Sequence, residues 1–208
     1  MPIDIKPDNI LVTNSPKGTL YKLSDLGDAS SPEVPSNDGA HLIGAELFCA
    51  PEVPLGIPWT TKADIWGLGA TVSYLTSSPN MRPSKKKKQS YYLRVLFVQG
   101  ITLISGHYAF LPRNPPPPDD PQLSLAVLQI QNDFYGPISR EALNGLADDS
   151  IQPLLQQFEE KHQAFPLSAM SRNISKEDVD FFRSVMKIDP RQRPTAGEIL
   201  GCSWFDGV

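Results

Sequence analysis

The chain has 208 residues, a length that fits one ordinary domain and can bury a real core. Its 21 prolines are about twice the usual share of roughly 5%, which excludes a coiled coil or a simple long-helix bundle and implies many loops. A net charge of −4 gives the chain as a whole no basic surface for nucleic acid, although Lys85 to Lys88 form a local basic run. Cys49 and Cys202 cannot build a disulfide framework and fit a reducing, intracellular compartment. Neither a signal peptide nor a bilayer span is legible, because Arg94, Gln99 and His107 interrupt the most apolar stretch, 91–111.

In chain order, Ile10-Leu11-Val12 and Leu20 to Leu26 read as two short strands joined by a polar turn over Asn14 to Gly18. Residues 28–41 are rich in Ser, Pro, Asp and Gly and predict a mobile loop. From Thr60 the pattern turns helical. Thr61 can cap, and Ala63, Ile65, Trp66, Leu68 and Ala70 place apolar residues nearly all round, which predicts a buried helix. Six prolines and two aspartates in 112–121 predict an extended linker. Gln122 to Phe134 is apolar at Leu123, Val127, Ile130 and Phe134, a helical period, and 149–163 reads as a further helix. Ser175 to Asp178 has the form of a capping box. It opens a helix with Val179, Phe182, Val185 and Met186 on one face, which Pro190 ends. Pro194-Thr195 starts a last short helix through Leu200, finishing at Trp204-Phe205.

Asp4-Ile5-Lys6-Pro7-Asp8-Asn9 carries the chemistry most open to reading. Phosphoryl transfer from ATP needs a carboxylate to take the proton of the attacking hydroxyl, a cation near the moving phosphate, and oxygen ligands for Mg²⁺. Asp4, Lys6 and Asn9 offer one of each within six residues. Asp25, in Ser24-Asp25-Leu26-Gly27 at the end of the second strand, is well placed to meet a metal. Taken singly, each string fits an ordinary polar loop or turn better than a catalytic site. Three further strings follow: Cys49-Ala50-Pro51-Glu52, Asp64 to Gly69, and Asp189 to Thr195.

These five strings, in this order, resemble the C-terminal lobe of eukaryotic protein kinases. Asp4 to Asn9 is similar to the catalytic loop, Asp25-Leu26-Gly27 to the metal-binding Asp-Phe-Gly motif, and Ala50-Pro51-Glu52 to the end of the activation segment. Asp64-x-Trp-x-x-Gly resembles the kinase F helix, and Arg193 the late arginine that pairs with the glutamate. Asp-Ile-Lys-Pro-Asp-Asn together with Asp-Leu-Gly most resembles the SR-protein kinases and their fungal relatives.

The resemblance implies a mainly α fold, a helical bundle with short β-strands near the catalytic loop. It implies a catalytic loop over 4–9, an activation segment over 25–52, an F helix from 61, a G-helix region over 122–134, and H and I helices over 175–205. It also implies ATP and Mg²⁺ as cofactors, and a protein substrate with an arginine/serine-rich preference. It implies no nucleic-acid or membrane partner and a place in the cytoplasm or nucleus. Asp4 would accept the hydroxyl proton, Lys6 would steady the γ-phosphate, and Asn9 and Asp25 would hold Mg²⁺. Glu52 and Arg193 would form a buried pair, and Asp64 would support the catalytic-loop backbone.

The sequence departs from that pattern at four places. Only Met1-Pro2-Ile3 precedes Asp4, so no N-terminal lobe is legible; the expectation is that this chain alone is inactive and that Met1 is a misplaced start. Pro2 and Ile3 stand where His-Arg is usual. Ala45 stands where Ser/Thr kinases carry a threonine that contacts the catalytic aspartate and lysine, and Phe48 replaces a tyrosine. Finally, the F helix is interrupted by residues 72–99, beyond which Gly100 to Gly106 resembles its expected end. Val72-Ser73 can be encoded by a common splice donor and Gln99 by a common acceptor, so this segment reads as a retained intron, with a true loop insertion as the other reading. A non-catalytic module that docks partners through 122–134 is the alternative to a kinase.

Overall fold

The computed structural model describes residues 4–16, 18–27, 29, 45–76, 110–118, 120–166 and 175–205. The described chain is mostly helical with one two-stranded sheet, as expected for a mainly α fold. Pro7 has the fixed φ that suits a first helical position, and Pro7–Asn9 closes as a 3-10 turn directly before the sheet. Strands β1 (Ile10–Ser15) and β2 (Gly18–Leu23) pair antiparallel with Ile10 opposite Leu23 and Ser15 opposite Gly18. The predicted five-residue turn is therefore shorter than expected, because the ladder extends through Asn14, Ser15 and Gly18. β2 also stops at Leu23 rather than Leu26. The N–H and hydroxyl of Ser24 both donate to the Asn9 carbonyl, at 2.8 and 3.1 Å. Asp25 then adopts φ 57°, a left-handed conformation that no strand accommodates.

Helix α1 (Lys62–Thr76) is buried as its sequence predicts, with Ile65, Trp66 and Ala70 inside. Thr60, not Thr61, caps it: the Thr60 hydroxyl accepts the Lys62 N–H at 3.2 Å, the reach of a side chain placed before the first turn. The helix runs without a break past Val72, where the interruption was expected, to Thr76. Residues 77–99 of the expected insert, the Gly100 to Gly106 run, and the expected loop over 28–41 apart from Ala29 lie outside the described residues.

The proline-rich segment has no regular structure until Pro121, as expected of a linker. Asp120 then accepts the Gln122 N–H and starts α2 (Pro121–Tyr135). Its buried face carries Leu123, Val127, Leu128, Gln131 and Asn132. Ile130 and Phe134, predicted for that face, lie half-buried at the rim of the core. Over 149–163 the structure has a 3-10 turn, Asp149–Ile151, and helix α3 (Gln152–Lys161), which ends where His162 turns extended at ψ 124°. The capping box of Ser175 and Asp178 opens α4 (Lys176–Val185) as predicted. That helix ends at Met186, with ψ 56°, before Pro190 is reached; Pro190 instead begins a 3-10 turn. A second capping box, Thr195 with Glu198, opens α5 (Ala196–Leu200), and Ser203–Phe205 closes the described chain.

The core forms where α1 crosses α2 and α4. Trp66 stacks on Phe110 at 6.3 Å and meets Tyr135 edge-on at 5.5 Å. Gly69 lets α1 and α4 approach closely, since a Cβ there would lie 2.6 Å from Met186 Cγ.

Beneath Trp66 sits the pair expected between Glu52 and Arg193. Both side chains are 0% exposed and meet in a two-pronged contact of 2.6 and 2.7 Å. The guanidinium spends its other three N–H groups on the carbonyls of Lys187, Lys62 and Ile188, so all five donors are satisfied. It also lies 5.1 Å from the centre of the Trp66 ring. Arg193→Met orphans a buried carboxylate and three carbonyls, and is expected to lower the unfolding free energy by about 3–5 kcal/mol. Half-exposed Arg191 is the contrast: its partner Asp189 is buried but keeps the residue-191 N–H and the Gln192 amide, so Arg191→Ala should cost only about 1 kcal/mol. Urea unfolding of both variants checks the difference.

Candidate functional site

Asp4, Lys6 and Asn9 come together at the entrance to β1. The 3-10 turn brings Asn9 back over Asp4, and the Asn9 N–H donates to the Lys6 carbonyl at 3.1 Å. The Asn9 side-chain amide donates to the Asp4 carbonyl at 2.9 Å and to Asp4 Oδ2 at 3.3 Å. The Lys6 ammonium forms an ion pair with the same Oδ2. The other carboxylate oxygen, Asp4 Oδ1, accepts the backbone N–H of Ala45 at 3.1 Å. Asp4 is thereby held by donors from both sides, two from its own loop and one from the segment before Glu52. Asn9 engages Asp4 through Nδ2, so its Oδ1 is not spent on that contact and is the atom that could act as a hard oxygen ligand.

Asp25 reaches this neighbourhood through the backbone. The Ser24 bonds to the Asn9 carbonyl fix the end of β2 beside the 3-10 turn, and the left-handed Asp25 follows at once. Strain of this kind costs on the order of 1–3 kcal/mol and persists only where the surroundings impose it. Asn9 and Asp25 supply one amide oxygen and one carboxylate. That donor set suits Mg²⁺, which takes few protein oxygens and completes its shell with phosphate and water. No cluster of three or more His, Cys, Asp or Glu side chains exists among the described residues, so a cation here would depend on such outside ligands.

Helix α1 supports this loop from below. Gly67 faces Ile5 so closely that a Cβ would lie 3.0 Å from the Ile5 carbonyl oxygen, and the Thr71 hydroxyl donates to that oxygen at 3.4 Å. Asp64 precedes them by one and two turns on the same side of the helix. The motif pointed to Asp64 and, through its final glycine, to Gly69 rather than Gly67. Thr71 carried no signal, since its partner is a backbone carbonyl distant in sequence.

The segment before Glu52 is tied in turn to α2. Glu46–Phe48 forms a 3-10 turn. Ser124 of α2 donates to Glu46 Oε1 at 2.9 Å, and Gln131 Nε2 donates to the Cys49 carbonyl at 3.0 Å. Neither Ser124 nor Gln131 was predicted, because a serine and a glutamine on a helix read as polar surface. Burial pushes the Cys49 thiol far above its ordinary range, and the carboxylates of Glu52, Asp4 and Glu46 push the same way, against Arg193. The folded state thus favours the neutral thiol. Its contribution to stability is present below the unfolded thiol value of about 8.5 and is lost as the pH rises beyond it. At pH 8, Cys49 should react with iodoacetamide at least about tenfold more slowly in the folded chain than in urea, because the thiolate is the nucleophile. Peptide-resolved mass spectrometry reads this directly.

Known proteins resemble this chain over nearly its whole length. The model of the protein kinase domain matches residues 2–205. The serine/threonine-protein kinase prp4 of Schizosaccharomyces pombe is 33% identical over 86 residues, covering 41% of this chain and 17% of the relative. The serine/threonine-protein kinase SKY1 of Saccharomyces cerevisiae is 25% identical over 198 residues, covering 92% of this chain and 23% of the relative. Human cyclin-dependent kinase-like 4 is 22% identical over 204 residues, covering 98% and 43%. The chain thus spans less than half the length of each of these relatives.

Proposed function

Because this chain belongs to the protein kinase domain family, we propose that its Asp4–Asn9 loop works as the catalytic loop of a serine/threonine kinase, transferring the γ-phosphate of ATP to a protein hydroxyl. The observation that carries the reading is the joint hold on Asp4, whose carboxylate is gripped by Lys6, Asn9 and the Ala45 amide. In this reading Asp4 orients the substrate hydroxyl and accepts its proton, and Lys6 moves from Asp4 to the γ-phosphate as substrate arrives. Asn9 Oδ1 and the Asp25 carboxylate hold Mg²⁺. The bound ion supplies charge neutralisation across the phosphates. Asp64 supports the loop from α1. An arginine/serine-rich substrate and an intracellular site of action follow from the resemblance of Asp-Ile-Lys-Pro-Asp-Asn to the SR-protein kinases. No helix among the described residues is long and apolar enough to cross a membrane.

The described residues also support the reading that the chain alone is inactive. Leu11, on one face of the hairpin, is 54% exposed, and Leu23, on the other, is 43% exposed. A two-stranded hairpin with apolar residues exposed on both faces is one wall of a site, whereas nucleotide pockets bury most of their ligand. The test replaces the matched segment of SKY1 with this chain lacking residues 72–99 and measures phosphate transfer from ATP to a serine-containing peptide. Transfer is expected in the chimaera and should fall by about 10²–10⁴ with Asp4→Ala. The chain by itself is expected to transfer none. A folded chimaera that transfers nothing turns the reading to a non-catalytic module docking through α2.

The segment 72–99 is proposed to be a retained intron, although its first residues, Val72 to Thr76, are helical as the end of α1. Sequencing of mature transcripts should find most reads joining the codon of Thr71 to that of Gly100. Reads that retain the segment in most messages overturn the proposal.

A further inference from the structure

We infer that Ser124 and Gln131 of α2 are positioning residues for Asp4, acting through the backbone N–H of Ala45; the inference rests on the reading of Asp4 as the group that meets the substrate hydroxyl. Two of the three donors on the Asp4 carboxylate, Lys6 and Asn9, belong to its own loop and move with it. Among the described residues, only the Ala45 N–H, at 3.1 Å, ties the carboxylate to another part of the fold. Alanine has no hydroxyl to offer, so the donor is the backbone itself. A backbone donor can be aimed only by fixing the chain that carries it. A side-chain hydroxyl, by contrast, rotates to suit.

Two struts from α2 fix that chain. The first is Ser124 to Glu46 Oε1 at 2.9 Å, one residue beyond Ala45. The second is Gln131 Nε2 to the Cys49 carbonyl at 3.0 Å, at the far side of the same 3-10 turn. The two residues are seven apart, so they share one face of α2 and are separated by about two turns, or roughly 10 Å. Between the struts the turn closes on itself, with the Phe48 N–H donating to the Ala45 carbonyl at 2.8 Å. Ala45 is thus held from α2 at both ends of a rigid turn.

Gln131 shows that this is not packing alone. Its side chain is buried, with the residue 1% exposed, yet its Oε1 has no partner among the described residues. An unpaired buried acceptor is costly, and a methionine of similar size would fill the space without it. What methionine would lack is the donor to the Cys49 carbonyl.

The test follows hydrogen exchange of the Ala45 amide in the full chain, with the Trp66 and Ala70 amides of α1 as monitors of global opening. Asp4→Ala sets the scale, since it removes the acceptor. The single variants Ser124→Ala and Gln131→Met are each expected to speed Ala45 exchange by about tenfold while Trp66 and Ala70 stay unchanged. Ser124→Thr, which keeps the hydroxyl, is expected to keep the wild-type rate. Ala45 exchanging at the wild-type rate in both single variants overturns the inference, and so does acceleration shared equally by Ala45, Trp66 and Ala70. Ser124 is only half-buried, so Ser124→Ala is compatible with a folded chain and carries the test if Gln131→Met is not. The readout needs neither ATP nor phosphate transfer. An inactive SKY1 chimaera would therefore count against the kinase reading without touching this result, and unchanged exchange would count against this inference alone.

Discussion

One buried guanidinium organises the described fold. Arg193 has no water to fall back on, so each of its five N–H groups must find an acceptor in the protein. Those acceptors come from three separate stretches: the Glu52 carboxylate, the Lys62 carbonyl at the start of α1, and the Lys187 and Ile188 carbonyls after α4. Lys62 returns the contact, its ammonium donating to the Arg193 carbonyl at 2.5 Å. Satisfying one cation therefore requires three chain segments to meet at one point. Trp66 covers that point from α1, with its ring by the guanidinium, stacked on Phe110 and edge-on to Tyr135. The burial has its own cost, and the ion pair offsets the desolvation only because the geometry is complete.

The site inherits its order from this anchor. α1 leaves Arg193 at Lys62 and arrives at Ile5 with Gly67 and Thr71. Glu52 holds the segment that, a few residues earlier, presents Ala45 to Asp4. The Asp4–Asn9 residues are thus approached by two elements that both begin at the same ion pair. The hairpin carries apolar side chains into solvent, with Leu11, Leu20 and Leu23 all exposed.

What could be read along the chain was whatever depends on near neighbours. Ser175 and Asp178 form the predicted capping box within three residues, and Thr195, read only as a helix start, forms a second one with Glu198. The apolar period of 122–134 led to α2 within a residue at each end. The pairing of Glu52 with Arg193 was legible only through family resemblance, and the fold shows it. The errors share one cause. Thr60 displaced Thr61 as cap, β2 stopped at Leu23, and α4 ended at Met186. Each boundary was set by where a backbone group found its partner, which periodicity does not encode.

By itself the sequence determined the chemistry on offer: a carboxylate, an ammonium and an amide within six residues, a second carboxylate after a strand, and the order of motifs that marks the protein kinase domain family. Side-chain identity and short spacing are local, so they survive translation into three dimensions unchanged. Only the tertiary structure decided who holds Asp4. Ala45 read as the loss of a hydroxyl, yet its backbone N–H occupies the carboxylate from 41 residues away. Ser124 and Gln131 read as surface and instead brace that turn. Every residue carries the same N–H and C=O, so no sequence pattern distinguishes the amide that will matter. The packing of α1 and α2 around the 45–49 segment selects it.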